Sequence, residues 1–230
     1  MNASSTISIK RDSSESKKSV VLLSIVIIVW IAILILLFAK LAMYGQASGE
    51  LGIPPNAIST DIPIEPDVHT LVMAIHPRCP CSQASLYELE RLLPKCENRL
   101  KVHFYLYDSP DKEASWFAEV SDEVRRRFPD AQVLPDPDGD IARLLGAYTS
   151  GSAVLYEPNG TPVFWGGITS GRGHAGDNLG SDSIYAIVDN REPPRVKTLV
   201  YGCAITHSYS DLLLDNCSNR ICEIPENLEN

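Results

Sequence analysis

The sequence predicts an α/β sandwich carried behind a membrane-crossing helix. Three observations lead there. Short apolar runs alternate with stretches whose apolar residues recur at helical spacing. An Asn-Gly turn joins two of the runs into a hairpin. One apolar run near the N-terminus is longer than any strand and lacks the polar stripe of a surface helix.

That run is Val20–Ala39, VVLLSIVIIVWIAILILLFA, in which Ser24 is the single polar residue. About 20 such residues cross a bilayer core of about 30 Å, and residues 20–42 are read as a transmembrane anchor. A cleaved signal peptide is the competing reading. Its apolar stretch would be only about 7–15 residues, although Gly45-Gln46-Ala47 would serve as a cleavage site. Residues 1–19 carry Lys10, Arg11, Lys17 and Lys18 against Asp12 and Glu15. Positive flanks stay cytoplasmic, so the expectation is a single-pass protein of the cytoplasmic (inner) membrane. Its C-terminal domain then faces the periplasm or the cell exterior. Residues 43–66, with Pro54, Pro55, Pro63 and Pro66 and no sustained period, read as a semi-extended tether.

The elements of the domain, residues 67–205, follow in order. Leu71–Ile75 is a short buried strand ended by Pro77 and Pro80. In Ser82–Leu93, residues Leu86, Leu89, Leu92 and Leu93 fall at helical spacing, and Pro94 stops the pattern. Lys101–Tyr107 is a second strand. Ala114–Phe128 puts Phe117, Val120, Val124 and Phe128 on one helix face. DPDGDIARLLGA (Asp136–Ala147) is a turn and a short helix, with Asp140 expected at its N-cap. Ser152–Tyr156 and Pro162–Gly166 flank Glu157-Pro158-Asn159-Gly160 as a hairpin. Ser183–Val188 is a last helix, with its cap expected at Asp182. Residues 206–230 form an acidic tail containing Cys217 and Cys222.

Composition narrows the function. Apolar residues are 44% and charged residues 21%, which excludes wholesale disorder. A net charge of −9 excludes a nucleic-acid binder, which needs a basic footprint. The N-terminal tail is itself positive, so the part beyond the span is more acidic than the whole chain.

The chemistry concentrates at the first strand–helix corner, His76-Pro77-Arg78-Cys79-Pro80-Cys81-Ser82. Cys79 falls at the helix N-cap, and Pro80 suits the first turn, where its missing N–H costs nothing. Unpaired N–H groups and the partial positive charge of a helix N-terminus stabilise a thiolate. Arg78 and a protonated His76 would add to that. Cys79 therefore reads as the attacking thiolate and Cys81 as its resolving partner. Two unrelated structural cysteines are the bland alternative. A metal site is the sharper one: His76, Cys79 and Cys81, with His174 in reserve, supply one or two imidazoles and two thiolates for copper(I) or zinc. The redox reading needs no cofactor.

Three stretches, HPRCPCSQASLYEL (His76–Leu89), TSGSAVLYEPNGTPVFWGGITSGRGHAGDN (Thr149–Asn178) and VYGCAI (Val200–Ile205), carry a resemblance. The chain resembles the thioredoxin-like superfamily and, within it, the bacterial RedB family. The resemblance implies a thioredoxin-like three-layer sandwich and a membrane-tethered redox role acting on protein or small-molecule thiols and disulfides. Two departures stand out. The motif is Cys-Pro-Cys rather than the thioredoxins' C-x-x-C. Where thioredoxins carry a cis-proline beside the cysteines, this chain reads Thr149-Ser150-Gly151-Ser152-Ala153. That departure favours a third reading, a non-catalytic sensor or binding domain.

Gly166–Asn178 holds five glycines between the last strand and the last helix. In such a fold the loop approaches the cysteine corner. Arg172 would bind an anion, His174 would shuttle a proton or complete a metal site, and Asp177 would orient His174 or cap the helix. A tight connection that simply needs glycine explains the same residues. Cys96 and Cys203 read as packed structural thiols; Cys217 and Cys222 would pair with each other or with Cys96 and Cys203. His69, His103 and His207 stand alone in the sequence and read as structural or surface residues.

Overall fold

The computed structural model describes residues 13–57, 62–108 and 115–206. Cys217, Cys222 and His207, with the acidic tail, lie outside the described residues. The chain divides into two compact units, one ending at Tyr44 and the other beginning at Gly45.

The first unit is built on helix α1 (Ser13–Gln46). From Lys18 onward it is long and apolar enough to cross a membrane. Its large apolar side chains are exposed all round, Trp30, Leu36 and Phe38 among them. Ser24 Oγ, the polar exception, donates to the Val20 carbonyl one turn back (2.9 Å), so it adds no unpaired donor to an apolar environment.

The second unit runs β1 (His69–Ile75), α2 (Pro80–Leu92), a 3-10 turn (Leu93–Cys96), β2 (Leu100–Asp108), α3 (Ser115–Arg127) and β3 (Gln132–Pro137). It continues through α4 (Asp140–Leu144), β4 (Ser152–Tyr156), β5 (Pro162–Gly166) and α5 (Leu179–Val188). The strands form one sheet in the order β3-β2-β1-β4-β5. β1, β2 and β3 are parallel, while β4 and β5 are antiparallel to their neighbours. A βαβ half thus meets a ββα half at the central pair β1–β4, which is the thioredoxin-like α/β sandwich.

Each face of the sheet has its own core. On one, Leu71, Met73 and Ile75 of β1 and Phe104 and Leu106 of β2 pack against Leu86, Leu89 and Leu92 of α2, Val124 of α3 and Ile184 and Val188 of α5. The alternate strand residues Val72, Ala74, Tyr105, Val154 and Tyr156 face the other way, onto Ala142 of α4 and Leu145 at its C-cap. Alternation across the pleat explains the division. Five-residue α4 cannot cover that face alone. Ala57, Ile62 and Ile64 complete the cover. The segment expected as a tether is therefore part of the domain. Gly49 N donates to Val200 O (2.8 Å), Gly52 N to Gly146 O (2.7 Å), Ala57 N to Gly160 O (2.9 Å), and Tyr156 Oη to Pro55 O (3.2 Å). Prolines deny the segment regular structure but not burial.

β3 is a strand that no reading of the sequence above assigns; it tolerates Pro135 and Pro137 because it lies at the sheet edge. Two other expectations are corrected. Asp140 is not the cap of α4 but its first residue, and Gly139 stands at the N-cap. The carboxylate of buried Asp136 does the capping, accepting from Ile141 N (2.8 Å) and Ala142 N (3.0 Å). Asp182 lies within α5; Asn178 is the N-cap and accepts from Ser181 N (2.8 Å).

Candidate functional site: a three-thiol corner

The site forms where β1 ends and α2 begins. Cys79 is the N-cap of α2 with extended backbone (φ −88°, ψ 109°), and Pro80 opens the helix. The turn closes through Cys79 N to His76 O (3.0 Å) and Ser82 N to Cys79 O (3.1 Å). Ser150, at the expected cis-proline place, braces it. Its hydroxyl accepts from His76 N (2.7 Å) and shares a hydrogen bond with buried Ser82 Oγ (2.7 Å). Gly151 follows at φ +89°, where a Cβ would be strained and would crowd Ser85.

A third cysteine reaches the corner from far along the chain. Residues 203–205 run beside 148–150: Ser150 N donates to Cys203 O (2.8 Å) and Ile205 N to Tyr148 O (2.8 Å). This places the Cys203 amide 3.2 Å from Cys79 Sγ, to which it donates. The close approach requires Gly202, where a Cβ would collide with the Ser150 carbonyl. Cys81 and Cys203 both lie close enough to Cys79 for the thiols to influence one another's ionisation. Cys79 is buried, and the other two are half-buried. All four described cysteines, these three and Cys96, are free thiols.

The electrostatics set the three thiols apart. Burial opposes the Cys79 thiolate. Hydrogen bonds from the Cys203 amide and from Ser82 and the Cys203 thiol outweigh it, and hold Cys79 below the ordinary thiol range. Burial pushes Cys81 up, reinforced by the charge on Cys79 and opposed by Arg172. Burial pushes Cys203 up to about 11, reinforced by its hydrogen bond to Cys79 and opposed by Arg172. One sulfur is thus poised to ionise beside two that keep their protons.

Arg172 comes to this corner as the sequence suggests. Its side chain donates to Gly202 O (2.7 Å) and Ala47 O (3.1 Å) and lies within hydrogen-bonding reach of Cys81. It therefore clasps the segment that carries Cys203. His174 does not join the thiols; its Nδ1 lies 2.8 Å from Arg172 O within their own loop. His76 turns its ring onto Tyr107, stacked at 5.3 Å, and its Nδ1 accepts from Arg78 N (3.2 Å). Arg78 is exposed. Among the described residues, no group of three or more His, Cys, Asp or Glu is arranged to hold a metal ion.

Two supporting residues escape a sequence reading. Glu88 of α2 sits in the leucine-bearing segment and looks like a surface acid, yet it is 4% exposed. Its carboxylate accepts from Gly176 N (2.7 Å), Asn178 Nδ2 (3.3 Å) and Arg91 Nη1 (3.2 Å), and so ties the glycine-rich loop to the helix that bears the cysteines. Cys203 lies among apolar neighbours in VYGCAI, and nothing local marks it as reactive. Its occurrence in one of the three family-like stretches is the single hint.

No family model matches the chain, and no curated protein matches it. Similar solved structures include a conserved protein from Geobacillus kaustophilus. It is 17% identical, with a TM-score of 0.52, over 72% of this chain and 93% of that one. A hypothetical protein from Sinorhizobium meliloti is 16% identical, with a TM-score of 0.52, over 72% and 94%. A secreted disulfide oxidoreductase from Mycobacterium tuberculosis is 14% identical, with a TM-score of 0.40, over 63% and 96%. At these identities the likeness is one of fold.

Proposed function

We propose that the chain is a membrane-anchored thiol–disulfide oxidoreductase of RedB-like type, acting outside the cytoplasm on protein or small-molecule disulfides. The observation that carries this reading is the Cys79 sulfur. It sits at a helix N-cap, accepts a backbone amide hydrogen bond, and has a second thiol of the same motif close enough to affect its ionisation. A buried structural cysteine has no need of such donors, whereas a nucleophilic thiolate does.

The steps follow from thiol–disulfide exchange. The Cys79 thiolate attacks one sulfur of a substrate disulfide. The Cys79–substrate S–S bond forms, the substrate S–S bond breaks, and the departing thiolate takes up a proton. Cys81 then gives up its proton, attacks Cys79 Sγ and expels the second substrate thiolate. Two electrons have passed from the cysteine pair to the substrate. The reverse sequence oxidises a dithiol. Arg172, beside Cys81, favours the Cys81 thiolate at the moment it is needed. The helical anchor and its positive N-terminal flank support placement on the outer face of the cytoplasmic membrane.

The full chain in detergent tests this with a small aromatic disulfide as substrate. Cys79→Ser is expected to abolish turnover, and Cys81→Ser to lower it by at least about tenfold. Undiminished turnover in Cys79→Ser overturns the assignment. A wild-type protein inert to every disulfide and reductant supports the sensor reading instead.

A further inference from the structure

We propose that Cys203 is a third redox-active cysteine, which closes a disulfide with Cys79 during turnover. The inference rests on the thiol–disulfide reading above and assigns it a second resolving thiol.

Geometry carries the argument. Cys203 arrives on a separate segment, and its backbone amide donates to Cys79 Sγ at 3.2 Å. A disulfide needs Cβ atoms about 3.5–4.5 Å apart. Cys79 at the N-cap and Cys81, the second residue of α2, are separated by Pro80 alone. A Cys79–Cys203 bond leaves α2 intact, because it joins two segments already in contact. It also closes a loop of more than a hundred residues, where a cross-link restrains the unfolded chain far more than one spanning a single residue.

The corner is built to keep Cys203 there. Gly202 permits the approach to Ser150 that a Cβ would block. Arg172 grips Gly202 O (2.7 Å), and Ser150 N grips Cys203 O (2.8 Å). A packed structural thiol has no use for these restraints, and Cys203 is only half-buried.

The electron balance needs nothing beyond the substrate. After Cys79 has formed the mixed disulfide, the Cys203 thiol loses its proton and attacks Cys79 Sγ. The Cys79–Cys203 bond forms, and the Cys79–substrate bond breaks. The substrate thiolate leaves and takes up the proton. Cys203 and Cys79 are each oxidised by one electron, and the substrate disulfide has gained two. Cys81 exchanges with the product by the same chemistry, moving the disulfide to Cys79–Cys81 and freeing Cys203, with no net change in oxidation state.

The test uses the full chain in detergent, reduced and then mixed with glutathione disulfide. Samples are trapped with a maleimide at intervals and mapped by mass spectrometry. In Cys81→Ser, glutathione is expected to appear on Cys79 and then leave as a Cys79–Cys203 disulfide forms. In the Cys81→Ser/Cys203→Ser double variant, the mixed disulfide is expected to last at least about tenfold longer. Formation of the mixed disulfide is itself the control that the corner has folded. If it persists in Cys81→Ser as long as in the double variant, with Cys203 still open to the maleimide, Cys203 loses its role and Cys79 keeps its own. A Cys79 disulfide to any other cysteine has the same meaning. Failure of glutathione to reach Cys79 in the wild type and both variants overturns this inference and the oxidoreductase reading together.

Discussion

Cys79, Cys81 and Cys203 are the same residue type in three electrical settings. Amide and hydroxyl donors aimed at Cys79 outweigh its burial, whereas burial dominates at the other two. A lowered pKa means the thiolate is present at lower pH than in a free thiol, so reactivity falls only as pH drops through that lowered value. Raised values mean the reverse: Cys81 and Cys203 stay protonated until the solution is more basic than a free thiol requires. Alkylation of the reduced protein, followed site by site across pH, should show Cys79 half-maximal below the ordinary thiol midpoint of about 8.5, with Cys81 and Cys203 above it. Equal midpoints at all three would show that the donors do not govern the site. Cys96, pushed up to about 11 by burial in the main core, should also react above the ordinary midpoint.

The elements matter through what ties them together. α2 presents the cysteines, but it is also the anchor for the loop that carries Arg172. Buried Glu88 makes that connection through charge-assisted bonds to Gly176 and Asn178. Glu88→Ala leaves the Gly176 amide and the Asn178 side chain short of an acceptor. The expected cost is about 2–3 kcal/mol, read by denaturant unfolding. The loosened loop should also release Arg172 from Gly202, so disulfide turnover is expected to fall in the folded variant. Stability within about 0.5 kcal/mol of wild type would show Glu88 to be an ordinary surface acid. The short α4 shows the same logic from the other side: five residues hold as a helix because the buried Asp136 carboxylate takes two of its amides.

At the scale of the molecule, the domain is larger than its regular elements. Residues 45–64 contribute Ala57 and Ile62 to the second core and close the sheet face that α4 leaves bare. A chain beginning at Asp67 should therefore be less stable than one beginning at Gly45. Loss of Ile62 burial, its neighbours' cover and the Tyr156 hydrogen bond comes to about 2–4 kcal/mol. For a domain of this size that corresponds to a melting temperature lower by roughly 5–15 °C. Equal melting temperatures would restore the segment to the status of a tether. The packed segment also supplies Ala47 O to Arg172, so the same truncation acts on the site.

The long apolar helix, the α/β alternation, the hairpin and the Cys-Pro-Cys corner were legible in the residues. Each rests on a local rule: hydrophobic period, turn chemistry, or the match of proline and cysteine to a helix N-terminus. What stayed illegible depends on partners far away in the chain. β3 hides behind its prolines until its edge position is known. Asp140 and Asp182 look like caps until Asp136 and Asn178 are seen to hold the amides. The stretch 43–66 looks like a tether until a bare sheet face needs covering. Cys203 looks inert because its apolar neighbours in sequence are not its neighbours in space; 124 residues separate it from the sulfur it touches. The sequence by itself determined the membrane-type helix, the fold class and the first two thiols. Only tertiary structure decided which donors reach Cys79 and that a third cysteine brings its amide to that sulfur, because a hydrogen bond depends on distance through space and not along the chain.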